Sequence, residues 1–474
     1  MAAQLNETRQ NDTRARWLAT LAHYRKDFDA PSNPRCWSPA LETCSRDELI
    51  AIQNAKLAAL APFLYENSPF YRRRFERLGM APSDIQTVDD LPKWPVVDKT
   101  EMMADAAAHP PYGTYTAMTD EVWAERGWMM FSSSGSTGAP RVFRYSQIDR
   151  DYWSWANARA LHSMGIAKGD TVLALGGFGP HVFIWGAVAA LFHMGIPVLP
   201  GGGMDARARV NIIARFRPTV IACTPSYALY LGRIMQEMGL DPAASTVKTV
   251  LVGGEPAMGV DATRERLAKL WDARMVEFYG CTEASPHCGG YSCEASDRGS
   301  GPVTTHLMED IQIWELVDAD SKERVVEGER GLTVCTSLNS ESSPQLRFLV
   351  GDYSTYTSDR CDCGRTHVRA IGAFAGRADE LINLRGIKMY PVQLEEAVRS
   401  IPGIGDEYEI VIATNADGLD VMTARVEHTD RSLAEQIVRA IQTRCEVRAD
   451  VEILAPGTLP KTEFKAKRVR DTRR

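Results

Sequence analysis

The sequence contains no apolar stretch long enough to cross a membrane. No uncharged apolar run reaches the ~20 residues that span a bilayer. The first segment, MAAQLNETRQNDTRARW, also lacks the apolar core of a secretion signal. We therefore expect a cytoplasmic protein with no membrane partner. The 474 residues are 44% hydrophobic and 24% charged, a balance typical of ordinary globular domains.

The sequence has neither an excess of basic residues nor a disulfide signal. The net charge is −7, which argues against nucleic acid as a partner, because concentrated Lys and Arg hold the phosphates of a polyanion. The ten cysteines follow no export signal, which favours reduced thiols or metal ligands over a disulfide framework. The GxxxxGK[ST] phosphate-binding pattern is also missing.

The hydrophobic pattern predicts an α/β fold. The start of the chain has helical apolar spacing, and from Val172 short apolar runs alternate with amphipathic stretches. That alternation predicts βαβ units, with mixed or parallel sheets flanked by helices. A smaller β subdomain is expected over about Gln312 to Tyr356. We predict a large N-terminal domain over residues 1–376 and a small, mobile α+β C-terminal domain over residues 377–474.

Residues 131–146, FSSSGSTGAPRVFRYS, place a loop of serine, threonine and glycine between two apolar segments. Backbone N–H groups and hydroxyls with little steric bulk can surround a phosphate. Taken alone, such a loop is more often plain surface. Other motifs must decide between the two interpretations.

Five further motifs follow this loop: LVGGEPAM at 251–258, EFYGCTEASP at 277–286, GDYS at 351–354, GRADELINLRGIKMYP at 376–391 and PKTEFKAKRVRD at 460–471. In this order and spacing they resemble the adenylate-forming superfamily of acyl-CoA synthetases. ARFRPTVIACTPSYALYL and HLMEDIQIWELVD resemble its phenylacetate-CoA ligase group. The resemblance implies an enzyme that uses ATP to convert a carboxylate to an acyl-AMP and then passes the acyl group to coenzyme A. The C-terminal domain would rotate between the two steps.

The resemblance also implies roles for individual residues. The β- and γ-phosphates would be held by Ser133, Ser134, Gly135, Ser136, Thr137 and Gly138. Thr282 would touch the α-phosphate, and Glu283 would ligate Mg²⁺, a hard cation that prefers oxygen ligands. The remaining nucleotide contacts would come from Gly253, Gly254 and Glu255 beside the adenine, Tyr279 and Gly280 at its face, Asp352 at the ribose, and Arg377 and Arg468.

Lys465 is the implied catalytic lysine. It would bridge the carboxylate and the α-phosphate and so offset two like charges that must meet. Asp379 falls at the implied hinge, where a short loop absorbs the domain rotation. The chain departs from the superfamily pattern twice, with Arg141 where lysine is usual and Phe464 where glycine precedes the catalytic lysine.

Some proteins of the resembled group hold a structural zinc ion with a cysteine, a histidine and a Cys-x-Cys pair. The corresponding set here is Cys293, His306, Cys361 and Cys363, and four N/S ligands suit a closed tetrahedral zinc site. Competing ligands are Cys288, His287 and His367. Reduced cysteines without metal remain the alternative.

The acyl pocket is predicted along GGFGPHVFIWG and TPSYAL, with Phe178, His181, Phe183 and Tyr227 as its lining. Aromatic and β-branched neighbours favour a flat aromatic acid over a fatty tail. The sequence does not identify that acid. An enzyme that hands the acyl group to a carrier protein or an amine is the alternative, and a non-catalytic binding module is a third. A homodimer is left open.

Overall fold

The computed structural model describes residues 2–133, 140–255, 258–295, 303–372, 374, 376–385, 387–405, 407–415, 419–460 and 468–473, without the side chains of residues 2–6, 379 and 388. Within these ranges, no helix is both long enough and apolar enough to traverse a lipid bilayer.

The α-helices of the described ranges are α1 (Ala2–His23), α2 (Pro39–Glu42), α3 (Arg46–Asn67), α4 (Pro69–Leu78), α5 (Lys99–Ala108), α6 (Asp120–Arg126), α7 (Gln147–Ser163), α8 (Val182–Met194), α9 (Ala206–Phe216), α10 (Pro225–Glu237), α11 (Asp261–Trp271), α12 (Pro391–Arg399) and α13 (Ala434–Cys445). Short 3₁₀ helices cover Pro82–Asp84, Val88–Lys93, Pro242–Ala244, Ala378–Glu380 and Arg431–Leu433.

The strands of the described ranges are β1 (Gly127–Ser132), β2 (Val142–Ser146), β3 (Val172–Ala174), β4 (Val198–Pro200), β5 (Val220–Cys223), β6 (Thr249–Gly253), β7 (Arg274–Gly280), β8 (Cys288–Tyr291), β9 (Thr304–Leu307), β10 (Gln312–Val317), β11 (Arg330–Ser337), β12 (Phe348–Thr357), β13 (Arg369–Ile371), β14 (Ile382–Leu384), β15 (Ile387–Met389), β16 (Tyr408–Thr414), β17 (Asp420–Glu427), β18 (Asp450–Leu454) and β19 (Val469–Asp471).

The predicted α/β fold is confirmed: helices dominate the start of the chain, and strands alternate with helices from β3 to β6. By its internal contacts the chain divides into two units. The first comprises Met1–Thr171, Gly177–Val198 and Phe278–Ile371, and the second comprises Val172–Gly176, Leu199–Glu277 and Gly372–Arg474. The predicted domain boundary after residue 376 stays a prediction.

Local sequence signals account for the helix starts. Ser45 caps α3 in a capping box with Glu48, and Ser146 caps α7 in the same way with Asp149. In such a box the two side chains satisfy backbone N–H groups that have no partner within the helix. Pro225 occupies the first turn of α10, where its missing N–H costs nothing.

In the first unit, an antiparallel sheet has the order β10, β11, β12, β13, β9, β8, β7. The first three of these strands form the β subdomain predicted over Gln312 to Tyr356. Phe278 and Tyr279, near the end of β7, pair with β8. The EFYGCTE motif therefore lies where β7 ends. Strands β1 and β2 form a separate antiparallel hairpin.

The second unit contains the predicted parallel strands. Strand β5 pairs in parallel with both β3 and β6. Its C-terminal part has a four-stranded sheet of order β18, β17, β16, β19, with α12 and α13 packed into the same core. Leu394, Ile410, Val426, Ile437 and Ile441 are fully buried members of that core. This α+β arrangement agrees with the expectation for the end of the chain.

A cluster of buried charges connects the early helices of the first unit to its sheet. This buried ionic cluster consists of Glu42, Lys56, Arg159, Asp310 and Arg365, all of them buried. Arg159 donates to both carboxylate oxygens of Asp310 at 2.8 and 2.9 Å, and Arg365 donates to Glu42 at 2.9 Å. Lys56 donates to the carbonyl oxygen of Asp310, and burial lowers the pKa of its ammonium group to about 7.

Arg159→Met should strongly destabilise the protein, because it leaves the buried carboxylates of Asp310 and Glu42 short of positive charge. We expect the free energy of unfolding to fall by about 3–5 kcal/mol, measured by thermal denaturation followed by circular dichroism. Arg150→Met on the same helix is the control, since its partner Asp151 is exposed and such a pair contributes about 0–1 kcal/mol. Equal melting temperatures for the two variants would contradict this account.

Candidate active site

The serine- and glycine-rich loop connects β1 to β2, and its two ends are hydrogen-bonded to each other. The backbone N–H of Ser133 donates to the carbonyl oxygen of Arg141 at 3.0 Å. In return, the backbone N–H of Arg141 donates to Ser133 Oγ at 3.0 Å. The hairpin thus fixes both ends of the loop. The predicted phosphate ligands Ser134, Gly135, Ser136, Thr137 and Gly138 lie outside the described residues.

Arg141 forms an ion pair with Glu283, the predicted magnesium ligand. Each residue is only 8% exposed, so water screens the two charges weakly. Arg141, the predicted departure from the superfamily pattern, therefore faces the carboxylate of the predicted magnesium ligand. Its Nε–H has no hydrogen-bond partner within the described residues.

Aromatic residues fix the segment that follows β7. Tyr145 Oη donates to the carbonyl oxygen of Thr282 at 2.9 Å, and Trp153 Nε1 donates to Ser285 Oγ at 2.9 Å. Burial raises the pKa of Tyr145 well above its ordinary value, so the hydroxyl keeps its proton. Sequence reasoning missed Tyr145 and Trp153. Both are buried aromatic residues on β2 and α7, and nothing in the pattern distinguishes them from ordinary core residues.

Tyr279 and Asp352, both predicted to contact the nucleoside, are hydrogen-bonded to each other. Tyr279 Oη donates to Asp352 Oδ2 at 2.6 Å. Desolvation, and then the charge of Asp352, raise the pKa of Tyr279 well above its ordinary value. A Cβ on the next residue, Gly280, would lie 1.8 Å from the carbonyl oxygen of His287, so glycine is required there. The close approach keeps β7 and the start of β8 together.

In the second unit, two of the predicted nucleotide residues share a contact with Ser226. Glu255 accepts a hydrogen bond from the backbone N–H of Ser226 at 3.2 Å, and Arg468 Nη2 donates to Ser226 Oγ at 3.4 Å. Arg468 also pairs with Glu407 at 3.1 Å. Gly253 ends β6, and Gly254 has a φ of 83°. The GGE turn and Arg468 are therefore brought together although they are far apart in sequence.

Of the other predicted residues, Arg377 is described, Asp379 only by its backbone and Lys465 not at all. Arg377 precedes the 3₁₀ helix Ala378–Glu380, and that helix contains the predicted hinge residue Asp379, whose side chain is outside the description. Lys465, the predicted catalytic lysine, lies outside the described residues, together with Phe464.

The four predicted zinc ligands are brought together in the first unit. The ligand atoms of Cys293, His306, Cys361 and Cys363 all lie within 4.8 Å of one another. Cys293 Sγ is 3.7 Å from Cys361 Sγ, and Cys363 Sγ is 3.3 Å from His306 Nε2. Ligands at zinc–sulfur and zinc–nitrogen bond lengths around a tetrahedral ion are separated by about 3.3–3.8 Å. The residues present thus fit a zinc ion.

Electrostatics in this cluster favour a thiolate. Hydrogen bonds from Cys293 and then Cys361 lower the pKa of the Cys363 thiol, and His306 lowers it further. The competing ligands named above lie elsewhere: His367 Nε2 is 2.9 Å from the carbonyl oxygen of Leu41, and His287 packs against Trp153. The structure therefore separates the four residues from two of their competitors.

The predicted acyl-pocket residues are distributed over both units. Phe178 packs edge-on against Trp185, with ring centroids 5.2 Å apart, and Phe183 lies 6.3 Å from Phe278. His181 is the half-buried residue that precedes α8. Tyr227 belongs to the second unit. The guanidinium carbon of Arg209 lies over its ring, 4.8 Å from the ring centroid of Tyr227.

Comparisons with known proteins show what the chain is similar to. Residues 81–337 match the AMP-binding enzyme family, and residues 386–473 match the AMP-binding enzyme C-terminal domain. The phenylacetate-coenzyme A ligase of Thermus thermophilus is 32% identical over 92% of this chain and 100% of its own length. The Pseudomonas putida phenylacetate-coenzyme A ligase is 29% identical over 91% of this chain and 96% of its own.

A solved structure extends the similarity to the whole fold. The 2-hydroxyisobutyryl-CoA ligase in the postadenylation state, in complex with 2-HIB-AMP, is 30% identical and superimposes with a TM-score of 0.87 over 95% of each chain. The chain belongs to the AMP-binding enzyme family and, within it, to the phenylacetate-CoA ligase-like group of adenylate-forming ligases, which use ATP and coenzyme A to activate a small carboxylic acid.

Proposed function

We propose that this adenylate-forming ligase acts on an aromatic carboxylic acid. The observation that carries the proposal is the group of aromatic rings beside the Thr282 segment. Tyr145, which bonds to Thr282, packs on Trp153 at 4.8 Å. Phe183 and Phe278 form a second pair in the same unit. A flat aromatic acid gains from contact with such rings. Phenylacetate is the acid named for the relatives from Thermus and Pseudomonas.

The nucleotide assignments are part of this proposal. Tyr279 stacks on adenine, and Asp352 accepts hydrogen bonds from the ribose. Their mutual hydrogen bond of 2.6 Å supports a shared role, because it holds the ring of Tyr279 in one orientation. Glu283 supplies a carboxylate to Mg²⁺, an ion whose preferred ligands are oxygens. Ser133 and the loop after it hold the β- and γ-phosphates, and Arg468 with the GGE turn completes the contacts.

The reaction has two balanced steps. A carboxylate oxygen attacks the α-phosphorus of ATP, and the bond to the departing pyrophosphate breaks. The thiol of coenzyme A then attacks the acyl carbon, the acyl–oxygen bond breaks and AMP leaves. Lys465 offsets the repulsion between the carboxylate and the α-phosphate, so it is needed in the first step only. Asp379 acts as the hinge between the steps.

The proposal is tested by incubating the protein with ATP, Mg²⁺ and a panel of aromatic and aliphatic acids, with and without coenzyme A. We expect AMP, pyrophosphate and an aryl-CoA thioester.

Lys465→Ala should slow adenylation by about 10²–10³-fold, while thioester formation from a supplied acyl-AMP stays close to wild type. Lys461→Ala, in the same basic tail, is the matched control and should retain both half-reactions.

Three results would contradict parts of the proposal. A preference for aliphatic acids would exclude the aromatic substrate class. An aryl adenylate that forms but never passes to coenzyme A would favour a carrier protein or an amine as the acceptor. Equal loss of both half-reactions in Lys465→Ala would remove the assigned role of the lysine.

Arg141 has its own part in the proposal. Its charge neutralises the buried carboxylate of Glu283, and its unpartnered Nε–H is available to a phosphate oxygen. A lysine would supply a point charge, whereas the guanidinium presents a planar fork that can serve the carboxylate and a phosphate together.

Arg141→Met should therefore cost more activity than Arg141→Lys. We expect kcat/KM for ATP to fall by about 10²-fold in the methionine variant, because a buried carboxylate loses its partner, and by about tenfold or less in the lysine variant, because the charge remains. Initial rates of pyrophosphate release measure both values. Equal rates in wild type and both variants would show that Arg141 does not serve the nucleotide.

We also propose that Cys293, His306, Cys361 and Cys363 hold a structural zinc ion. Four protein ligands leave no open position, as in closed structural sites. Arg365, two residues after Cys363, donates to Glu42 in the buried ionic cluster. The zinc ion would hold the loop that carries Arg365 and so support the contact of this loop with α2.

Elemental analysis should find about one zinc ion per chain in protein prepared without chelators. Cys361→Ser should lose the metal and lower the melting temperature, because metal binding contributes to folding free energy. Cys288→Ser is the matched control: Cys288 is equally buried but lies outside the four-residue cluster, so zinc should be retained. A metal content near zero in wild-type protein would refute the site.

A further inference from the structure

His287 is a buried imidazole for which the described part of the chain provides no hydrogen-bond partner. It is 1% exposed, and neither Nδ1 nor Nε2 forms a hydrogen bond within the described residues. An unsatisfied buried polar group costs about 1–3 kcal/mol, so native proteins rarely retain one without a reason. The ring would therefore be stabilised by a hydrogen bond from outside the described residues, and a bound ligand and a buried water are the two sources that the test below distinguishes.

The surroundings of His287 hold its ring in one place. Trp153 lies against the imidazole with ring centroids 4.6 Å apart, and Phe278 lies at 5.4 Å. On α8, a Cβ at Gly186 would come within 1.8 Å of His287 Cε1. The helix can pass the imidazole only because residue 186 is a glycine. Such packing is typical of a ring whose orientation serves recognition.

The same contacts connect His287 to two features assigned to the proposed acyl site. Trp153 donates to Ser285, in the segment that begins with Thr282. Phe278 packs against Phe183, one of the predicted pocket residues, at 6.3 Å. One aromatic contact therefore separates the imidazole from each of these two features. An acid whose carboxylate reaches the Thr282 segment would bring its ring substituents close to His287.

We propose that His287 is the residue that selects the ring substituent of the acid, and that it does so by hydrogen-bonding a hydroxyl group. The proposal rests on the proposed function. A neutral imidazole has one donor and one acceptor, and a hydroxyl can complement either. Burial lowers the pKa of His287 to about 3, so the ring is neutral near pH 7. The surrounding rings provide no counter-ion, which disfavours a charged substituent. The substrate class is therefore hydroxyaryl carboxylic acids.

The test compares matched acids: phenylacetate with its 2-, 3- and 4-hydroxy derivatives, and benzoate with its three hydroxy derivatives. In wild type, kcat/KM for one hydroxylated isomer should exceed that for its unsubstituted parent by about 10–100-fold, since an unpaired buried polar group opposes binding of the parent acid. His287→Phe keeps a ring of similar size and removes both nitrogens. It should abolish this preference by slowing the hydroxylated acid while sparing or favouring the parent.

Three further variants keep the test decisive. His287→Gln retains a donor and an acceptor, so it should keep part of the preference, and it replaces the phenylalanine variant if that one fails to fold. His162→Phe is the control: His162 contacts the carbonyl oxygen of Asn33 and lies outside the predicted pocket, so the ratio of kcat/KM between the hydroxylated and the parent acid should stay unchanged. His181→Phe tests the other histidine that is predicted at the pocket. Loss of the preference in His181→Phe with retention in His287→Phe would overturn the proposal.

Other outcomes are equally informative. A wild-type enzyme that activates hydroxylated and unsubstituted aromatic acids equally well would overturn the role of His287 and leave the proposed function intact. An equal fall for both acids in His287→Phe would also overturn it and would indicate a buried water as the partner. Wild-type protein that activates none of the aromatic acids would instead refute the proposed function. The same comparison can be made without turnover. Dissociation constants are measured for acyl-sulfamoyl adenosine analogues whose aryl ring carries or lacks the hydroxyl group.

Discussion

The ion pair between Arg141 and Glu283 is the interaction on which the candidate site depends. It joins two parts of the first unit, the β1–β2 hairpin and the segment that follows β7, and nearly all of its surface is removed from water. Neither charge would be tolerated at this depth alone. The pair therefore fixes the position of a carboxylate that would otherwise be costly to bury. It also provides the buried guanidinium of Arg141 with a partner of opposite charge.

Around this pair, hydrogen bonds from aromatic side chains hold the part of the site that lies in the first unit. Tyr145 and Trp153 bind the backbone and side chain of the segment from Thr282 to Ser285, and Tyr279 binds Asp352. Aromatic residues with a polar tip suit this task, since the ring packs in the core while the hydroxyl or indole N–H supplies one directed bond. The result is a rigid backbone, which a reaction between two anions requires if its stabilising groups are to be in place beforehand.

The sequence was sufficient for the fold class and for the family, because these depend on local patterns and on motifs in a fixed order. It could not reveal partners that meet only in the folded chain. The sequence showed Arg141 as a departure from the superfamily pattern. It could not show the pairing of Arg141 with Glu283, because that pairing requires β2 to lie beside the end of β7. His287 was considered only as a metal ligand, and its contact with Gly186 has no sequence signal. Cys293, His306, Cys361 and Cys363 were predicted as a set because the resemblance to the phenylacetate-CoA ligase group implied it, and the structure brings their ligand atoms within 4.8 Å of one another.

The buried ionic cluster also bears on where the folding unit begins. The AMP-binding family match starts at residue 81, whereas Glu42 and Lys56 belong to the preceding helices. A truncated chain that starts at residue 81 would contain every motif of the family, yet Arg159, Asp310 and Arg365 would lose two charged neighbours inside the core. In this chain, the family match begins at residue 81, whereas the unit that folds cooperatively includes the helices before that residue. The N-terminal helices are an electrostatic part of the domain rather than an appendage to it.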